Sequence, residues 1–186
     1  DPAIAARKTV PDLPPSDKLS IVKNGPLNFK GRKLGILLSD GADAAIFRAL
    51  VSAVNAEGAV YEVIAPKIAG VTLSDGTTVA AKHKIDGGPS VLFDAVAIVV
   101  SVDGAALLSL DAAAKDFATD AFAHCKYIGI SAEAETIFAA AGIADDLDDA
   151  CLPLGKTGDA KTFIEACRLL RHWPRELAVD LDAQPA

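Results

Sequence analysis

Short apolar runs recur along the chain, and the segments between them carry apolar residues at a helical spacing. Four runs, at residues 34–38, 60–65, 95–100 and 127–130, have the length and aliphatic content of strands. The first and third of these are apolar throughout, which is typical of parallel strands buried on both faces. The pattern therefore predicts a parallel sheet covered by helices.

The helices are predicted by the segments between these runs. Residues 111–124 and 159–171 each place apolar side chains on one face, and a third helix is expected to end at Gly58 after an apolar face made of Ala45, Ile46, Ala49, Leu50, Ala53 and Val54. Asp75-Gly76 lies between two short alternating stretches and indicates a β-hairpin. We expect an α/β fold of the flavodoxin-like type, a doubly wound and mostly parallel sheet with helices on both faces and an inserted hairpin.

Residues 1–31 differ from the rest because half of the ten prolines lie there. The Pro-Pro pair at 14–15 and Pro26 interrupt any continuous helix or strand, so we expect an extended, proline-rich linker arm. A short apolar patch at residues 19–22 is expected to anchor this arm. The predicted organisation is therefore an arm over 1–31 and one domain over 32–186.

The net charge of −7 is unevenly distributed, since residues 1–33 carry +4 and the remainder carries −11. An acidic body argues against nucleic acid or an anionic membrane as a partner. The basic arm is either a solvated linker or a contact for an acidic protein surface. No apolar run approaches the roughly 20 residues of a membrane span, and the start does not resemble a signal peptide. We therefore expect a cytoplasmic protein. The chain contains no methionine, even as an initiator, and we expect it to have been cut from a longer protein or trimmed.

The cysteines and the acidic loop do not indicate a metal site. Cys125, Cys151 and Cys167 are odd in number and lack metal-ligand spacing, so buried free thiols are expected. The loop at residues 145–149 holds four aspartates but lacks the order of an EF-hand and its distal glutamate. No metal is predicted.

The candidate chemistry lies where the run 127–130 stops at Ser131 and a helical pattern begins at once. An abrupt strand-to-helix turn of this kind is a nucleophile elbow, and we expect residue 131 to face a pocket at the carboxyl end of the sheet. Asp43, after the first strand, is the acidic residue expected near the same switch point. A serine nucleophile needs a base, and none of the three histidines, His83, His124 and His172, is placed by sequence to act as one.

Two interpretations of Ser131 therefore stand side by side. In the first, it is a nucleophile assisted by Asp43, with the Ala132 amide in an oxyanion hole. In the second, which we favour, Ser131 only caps the helix that it opens, with Glu133 or Glu135 as partner. Cys125 precedes the elbow strand instead of following it. A third possibility is a small anion bound at the helix start near Gly41.

Three stretches carry a resemblance to a known family. Residues 31–43 (GRKLGILLSDGAD), 86–97 (DGGPSVLFDAVA) and 122–129 (FAHCKYIG) resemble the C-terminal domain of bacterial large-subunit catalases, and residues 12–22 (DLPPSDKLSIV) resemble the connector that precedes it. That domain is similar in turn to class I glutamine amidotransferase-like proteins, including PfpI-type proteases, which carry a Cys-His pair at the elbow. Ser131-Ala132 stands there in this chain, and Ser101-Val102-Asp103 replaces a Gly-Gly oxyanion turn.

The resemblance implies a non-catalytic module with vestigial elbow and acidic positions at Ser131 and Asp43. It would stabilise the catalase subunit and tetramer by packing on the core of its own or a neighbouring subunit, and the parent enzyme would decompose hydrogen peroxide with a haem held by that core. Neither haem nor another cofactor is expected here. In isolation, the exposed docking face would favour a homodimer or chaperone-like binding of unfolded clients. The alternatives are an amidotransferase- or PfpI-like hydrolase or a glyoxalase-type enzyme using Ser131 or Cys125, and a small-anion binding module.

Overall fold

The computed structural model describes residues 12–177, and the remainder of the predicted arm, 1–11, lies outside that range. Strands and helices alternate along the described chain. The strands are β1 (Lys33–Leu38), β2 (Val60–Ala65), β3 (Val71–Thr72), β4 (Thr78–Val79), β5 (His83–Lys84), β6 (Ala95–Val99), β7 (Ile128–Ile130) and β8 (Cys151–Pro153). The α-helices are α1 (Ile21–Asn24), α2 (Ala44–Ala56), α3 (Val102–Leu108), α4 (Ala112–Ala123), α5 (Glu135–Ala141), α6 (Thr157–Cys167) and α7 (Pro174–Leu177).

Six of the strands form one parallel sheet in the order β5-β2-β1-β6-β7-β8. The chain moves outward from β1 through β2 on one side and through β6, β7 and β8 on the other, which makes the fold doubly wound. The remaining two strands, β3 and β4, pair antiparallel as a hairpin. The predicted fold class is confirmed, including the inserted hairpin.

The sheet separates two apolar layers, because side chains of a strand alternate between its faces. In β6, Ala95, Ala97 and Val99 belong to the layer that includes α2 and α6. Val96 and Ile98 belong to the opposite layer with α3, α4 and α5. Burial on both faces explains why the sequence of this strand is apolar throughout.

The arm is not extended over all of its described residues. Asp17–Leu19 forms a 3-10 turn and α1 adds one helical turn. The Ser20 hydroxyl caps that turn by accepting from the Lys23 amide at 3.2 Å. The prediction of an extended segment is wrong here because the ten residues between Pro15 and Pro26 contain no proline and do contain a capping serine.

Other boundaries also differ from the prediction. The helix expected to begin at Ser131 is preceded by a 3-10 turn over Ala132–Ala134, and α5 begins only at Glu135. Regular structure continues beyond the predicted helix at 159–171 as α7, which begins at Pro174. Proline is tolerated at the first position of a helix, where no intrahelical N–H bond is lost. No helix of the described chain combines the length and apolarity needed to cross a bilayer.

Candidate functional site

The topological switch point of the sheet lies between β1 and β6, since the strand order runs in opposite directions from these two neighbours. Open α/β sheets bind ligands outside the carboxyl ends of the strands at such a point. Ser39 and Asp40 follow β1 there, and Ser101 follows β6. These three residues, more than Ser131, occupy the position that the fold offers to a ligand.

The two serines at the switch point tie their loops together. The Ser39 hydroxyl accepts from the Ser101 amide at 2.9 Å, and the Ser101 hydroxyl donates to the Asp40 carbonyl at 2.6 Å. The Ser101 oxygen also accepts from the Gly104 amide at 3.0 Å and so caps α3. Both hydroxyls are thus engaged by the backbone, and neither is paired with a base that would activate it.

Gly104 lets the two loops approach closely. A Cβ atom built at this position would lie 1.9 Å from the Ser39 hydroxyl oxygen and 2.3 Å from the Ser39 Cβ. Only glycine fits there without displacing the end of β1.

A cavity of about 460 Å³ opens beside these loops. Its charged lining consists of three carboxylates and one amine, from Asp40, Asp103, Asp111 and Lys67. The Asp40 carboxylate accepts from the Thr72 amide at 2.8 Å, which attaches the hairpin to the rim. The excess of carboxylates does not favour an anion, so the predicted small-anion site near Gly41 has no electrostatic support.

Asp43 caps α2 and has no visible part in chemistry. Its Oδ1 accepts from the amides of Ala45 at 2.7 Å and Ile46 at 2.9 Å. Both bonds satisfy free N–H groups of the helix start. No hydrogen bond joins Asp43 to Ser131 within residues 12–177, so the structure does not bring the predicted acid and hydroxyl together.

Ser131 is 3% exposed and lines none of the four cavities described for residues 12–177, so the prediction that it faces a pocket has no support. The favoured interpretation as a helix cap is wrong, because its side chain makes no capping bond. The Ser131 oxygen instead accepts from the Val100 amide at 3.3 Å, across the end of β6. The hydroxyl therefore satisfies a buried donor of the neighbouring strand.

None of the three histidines of the chain serves Ser131. Each ring nitrogen that has a nearby acceptor has it elsewhere: His83 Nε2 at 2.9 Å from Glu62, His124 Nδ1 at 2.6 Å from the Asp120 carbonyl, and His172 Nε2 at 3.7 Å from Asp148. A serine nucleophile without a base in reach lacks the group that would take its proton. The geometry does not support acyl chemistry.

The three thiols are free; Cys125 and Cys167 are buried and Cys151 is partly buried, and this desolvation makes them poor nucleophiles. Desolvation raises the pKa of Cys125, whose sulfur donates to Glu176 at 3.4 Å. Desolvation likewise raises the pKa of Cys151 to about 11 and that of Cys167 well above its usual value. The thiolate that a Cys125-dependent enzyme would need is therefore disfavoured.

The groups present do not fit a metal or a haem. Within residues 12–177 no three acidic, histidine or cysteine side chains converge, and the Asp148 carboxylate of the acidic loop binds Arg175 instead. A tyrosinate ligand is not favoured at Tyr127, because burial raises the pKa of this phenol. Tyr61 packs edge-on against Phe47 in the apolar layer of α2.

Comparisons with known proteins show which family this chain is similar to. The family model of the C-terminal domain found in long catalases matches residues 30–176. Catalase C of Rhizobium meliloti (strain 1021) is 49% identical over 180 residues, which are 97% of this chain and 26% of that protein. Catalase HPII of Pseudomonas putida is 28% identical over 156 residues, 84% of this chain and 21% of that protein. The chain thus spans about a quarter of the length of these relatives.

Solved structures similar to this fold come from the DJ-1/PfpI group. A ThiJ/PfpI domain protein from Brachyspira murdochii aligns with a TM-score of 0.63 and 15% identity over 76% of this chain and 96% of its own. Drosophila melanogaster DJ-1beta aligns with a TM-score of 0.63 and 14% identity over 79% of this chain and 95% of its own. At these identities the similarity concerns the fold alone. It agrees with the predicted glutamine amidotransferase-like architecture.

The sequence contains a signal for the switch-point residues. Ser39 and Ser101 each lie directly after an apolar run, as does Ser131, and Asp40 follows Ser39. The apolar runs do not indicate which two strands are neighbours at the switch point. That depends on strand order, which places β6, not β7, beside β1.

Proposed function

The chain belongs to the family of C-terminal domains found in long catalases, and from this premise we propose that it is a non-catalytic module. It packs on the catalase core of its own or a neighbouring subunit and stabilises the subunit and the tetramer. The observation that carries this proposal is the state of Ser131, which is 3% exposed and bonded to a backbone amide. An elbow in this condition can hold strands together but cannot attack a substrate.

Peroxide decomposition and the haem that supports it are assigned to the part of the longer protein outside this chain. The burial that raises the pKa of Tyr127, and so disfavours a tyrosinate, supports that division. We place the protein in the cytoplasm, where free thiols such as those of Cys125 and Cys167 persist.

The proposal is tested by offering substrates to the purified chain. p-Nitrophenyl esters and methylglyoxal are given to the wild type and to Ser131→Ala, with buffer as the blank. We expect both proteins to match the blank. Turnover by the wild type that disappears in Ser131→Ala would establish the competing hydrolase or glyoxalase function.

A chaperone-like activity of the isolated module forms part of the proposal. Leu19, Ile21 and Leu27 are at least 75% exposed, and such apolar side chains can hold unfolded clients. The assay measures the turbidity of a heat-labile client with and without the chain, with Leu19→Ser/Ile21→Ser as control. The wild type should delay aggregation and the double variant should not. Equal curves with and without the chain would remove this activity. The proposed homodimer is tested by the sedimentation velocity of the same purified chain without the client.

The cavity at the switch point supports one other candidate function, the binding of a small ligand. Its three carboxylates favour an amine over an anion. Putrescine and inorganic phosphate are compared by thermal shift, since a ligand that binds only the folded state raises the melting temperature. A shift with putrescine that Asp103→Asn abolishes would support an amine site. A shift with phosphate alone would restore the anion hypothesis.

A further inference from the structure

A large open groove lies at the amino-terminal edge of the sheet, away from the switch point. It encloses about 1170 Å³. Arg32, Asp94 and Tyr127 lie at its base, immediately before or at the start of β1, β6 and β7, where the amino ends of parallel strands come together. Residues 18–27 of the arm form one wall and residues 169–174 form the other.

The walls of this groove are apolar and uncovered. Leu19 is 83% exposed, Ile21 75% and Leu27 75% on the arm side. On the other side Leu169 is 56% exposed and Trp173 40%. Trp173 and leucine side chains gathered on one concave surface are typical of a contact face and not of a solvated surface.

The conformation of the arm is unexpected for a free segment. A helix of one turn has little stability of its own in water, because nucleation is costly. Here the side-chain amide of Asn24 caps α1 by donating to the carbonyls of Asp17 at 2.6 Å and Ser20 at 2.9 Å. The apolar residues of the helix nevertheless stay exposed. The arm therefore holds a folded conformation although the described residues leave its own apolar side chains exposed.

The opposite wall is fixed by two arginines, of which Arg175 is buried and Arg171 is half-buried. Arg171 donates to the Asp94 carbonyl at 2.9 Å, and Arg175 binds Asp148 through two nitrogens at 2.7 and 2.8 Å. These contacts attach residues 169–176 to the edge of the sheet. A wall held in this way presents a pre-organised surface to a partner, which lowers the ordering cost of binding.

The charge of the rim indicates the chemistry of the partner. Lys18, Arg32 and Arg171 contribute three positive charges to the groove lining, and Asp94 and Glu176 contribute two negative ones. Arg32 is paired with Asp94 at 3.4 Å, and Glu176 accepts a hydrogen bond from the Cys125 thiol. Lys18 and Arg171 make no ion pair with another described residue, so the lining keeps a small positive excess. A partner that fits this rim is apolar at the centre and acidic at the margin.

The position of the groove indicates the source of the partner. The relatives are roughly four times as long as this chain, and a C-terminal domain has the rest of its protein before it. That preceding part reaches the domain through the arm, and the arm is itself one wall of the groove. We propose that the groove is the docking face for the preceding, catalase part of the same subunit, an inference that rests on the proposed function.

The test uses the full-length long catalase that carries this domain. p-Benzoylphenylalanine is placed at position 21 in one preparation and at position 173 in another, and mass spectrometry identifies the peptides cross-linked by light. Position 107 serves as the control, because Leu107 is 72% exposed but lies beside the switch-point cavity. Oligomers assembled from isotopically light and heavy subunits separate contacts within a subunit from contacts between subunits.

We expect cross-links from positions 21 and 173, and not from 107, to peptides that precede residue 1, with both partners carrying the same isotope. Mixed-isotope cross-links would overturn the inference in favour of a neighbouring subunit. Cross-links to residues 12–177 of a second copy, or none to the preceding part, would overturn it as well. The groove and the proposed function can fail separately. If the cross-links contradict the groove but destabilising the domain still lowers the heat resistance of the core, only the assignment of the groove is refuted. If destabilising the domain leaves the heat resistance of the core unchanged as well, the proposed function is also refuted.

Discussion

The replacement Arg175→Met tests how the C-terminal segment is held, and with it one wall of the groove. Arg175 is 7% exposed. Its Nη1 donates to the carbonyls of Phe122 at 2.7 Å and Lys126 at 3.2 Å, while Nε and Nη2 bind the two oxygens of Asp148. The guanidinium carbon also lies 4.0 Å from the centroid of the Phe122 ring.

The expected loss follows from what the substitution leaves behind. Removing one partner of a buried ion pair costs about 3–5 kcal/mol, because the other charge stays desolvated. The Asp148 side chain is 25% exposed, so water relieves part of that cost. Methionine retains most of the aliphatic packing of arginine. We therefore expect the free energy of unfolding to fall by about 3 kcal/mol at pH 7.

The pH dependence of this loss has a definite sign. Burial tends to raise the pKa of Asp148, but the hydrogen bonds from Arg175 and the Ala150 amide, together with the nearby positive charge, outweigh it, and the pKa in the folded protein lies below its usual value of 3.8. A depressed carboxyl pKa stabilises the fold above that value, and the contribution is lost as the pH falls through the folded pKa. Without Arg175, burial dominates and protonation helps the folded state. The deficit of the variant should therefore shrink below about pH 4.

The assay is urea unfolding followed by circular dichroism at pH 7 and pH 3.5. Arg168→Met is the matched control, since Arg168 binds Glu57 with the same two-nitrogen geometry but its side chain is 42% exposed. Solvent screens such a pair, and its loss should be much smaller. Equal losses in the two variants, or a deficit of Arg175→Met that grows on acidification, would refute the reasoning.

Three other predictions concern stability. Desolvation lowers the pKa of Lys126 to about 8, so the folded chain gives up this proton before the unfolded chain does. The stability of the wild type relative to Lys126→Met should rise between pH 8 and 10.5, by up to about 3 kcal/mol in paired urea titrations, and a flat difference would contradict this. Gly104→Ala should cost about 1–3 kcal/mol through overlap with Ser39. Gly158→Ala is the control, because this glycine lies in α6 with open space around its Cβ position, and it should be neutral or stabilising. Equal melting temperatures of the two alanine variants would count against the overlap. Cys167, 0% exposed with a raised pKa, should react with a thiol reagent only at the rate of unfolding, and fast labelling of the native protein would contradict its burial.

The sheet was predictable where strands are long and buried on both faces. The runs that became β1 and β6 are apolar because helices cover both of their sides. By contrast, β5 and β8 have two and three residues and carry too little pattern to be recognised. They form because β2 and β7 offer them unpaired edges, and that is a tertiary effect.

The candidate site was less predictable for a related reason. A serine after an apolar run is compatible with a cap, a nucleophile or a buried bond to a neighbouring strand. Ser131 takes the third role because the end of β6 places the Val100 amide beside it. The sequence of β7 contains no information about that amide. The same holds for Trp173, because the local sequence does not indicate that it forms a groove with the arm.

The central claim is that this domain acts by stabilising the catalase core, and coupling between the two tests it most directly. Phe163 is fully buried in α6, and Phe163→Ala should destabilise the domain by about 3–5 kcal/mol. The measurement is the temperature at which the full-length catalase loses peroxide turnover, with Lys161→Ala, on an exposed side chain of the same helix, as control. We predict that Phe163→Ala inactivates at a lower temperature than the wild type and Lys161→Ala. Identical inactivation temperatures, while proteolysis shows that the domain of Phe163→Ala opens earlier, would contradict the claim.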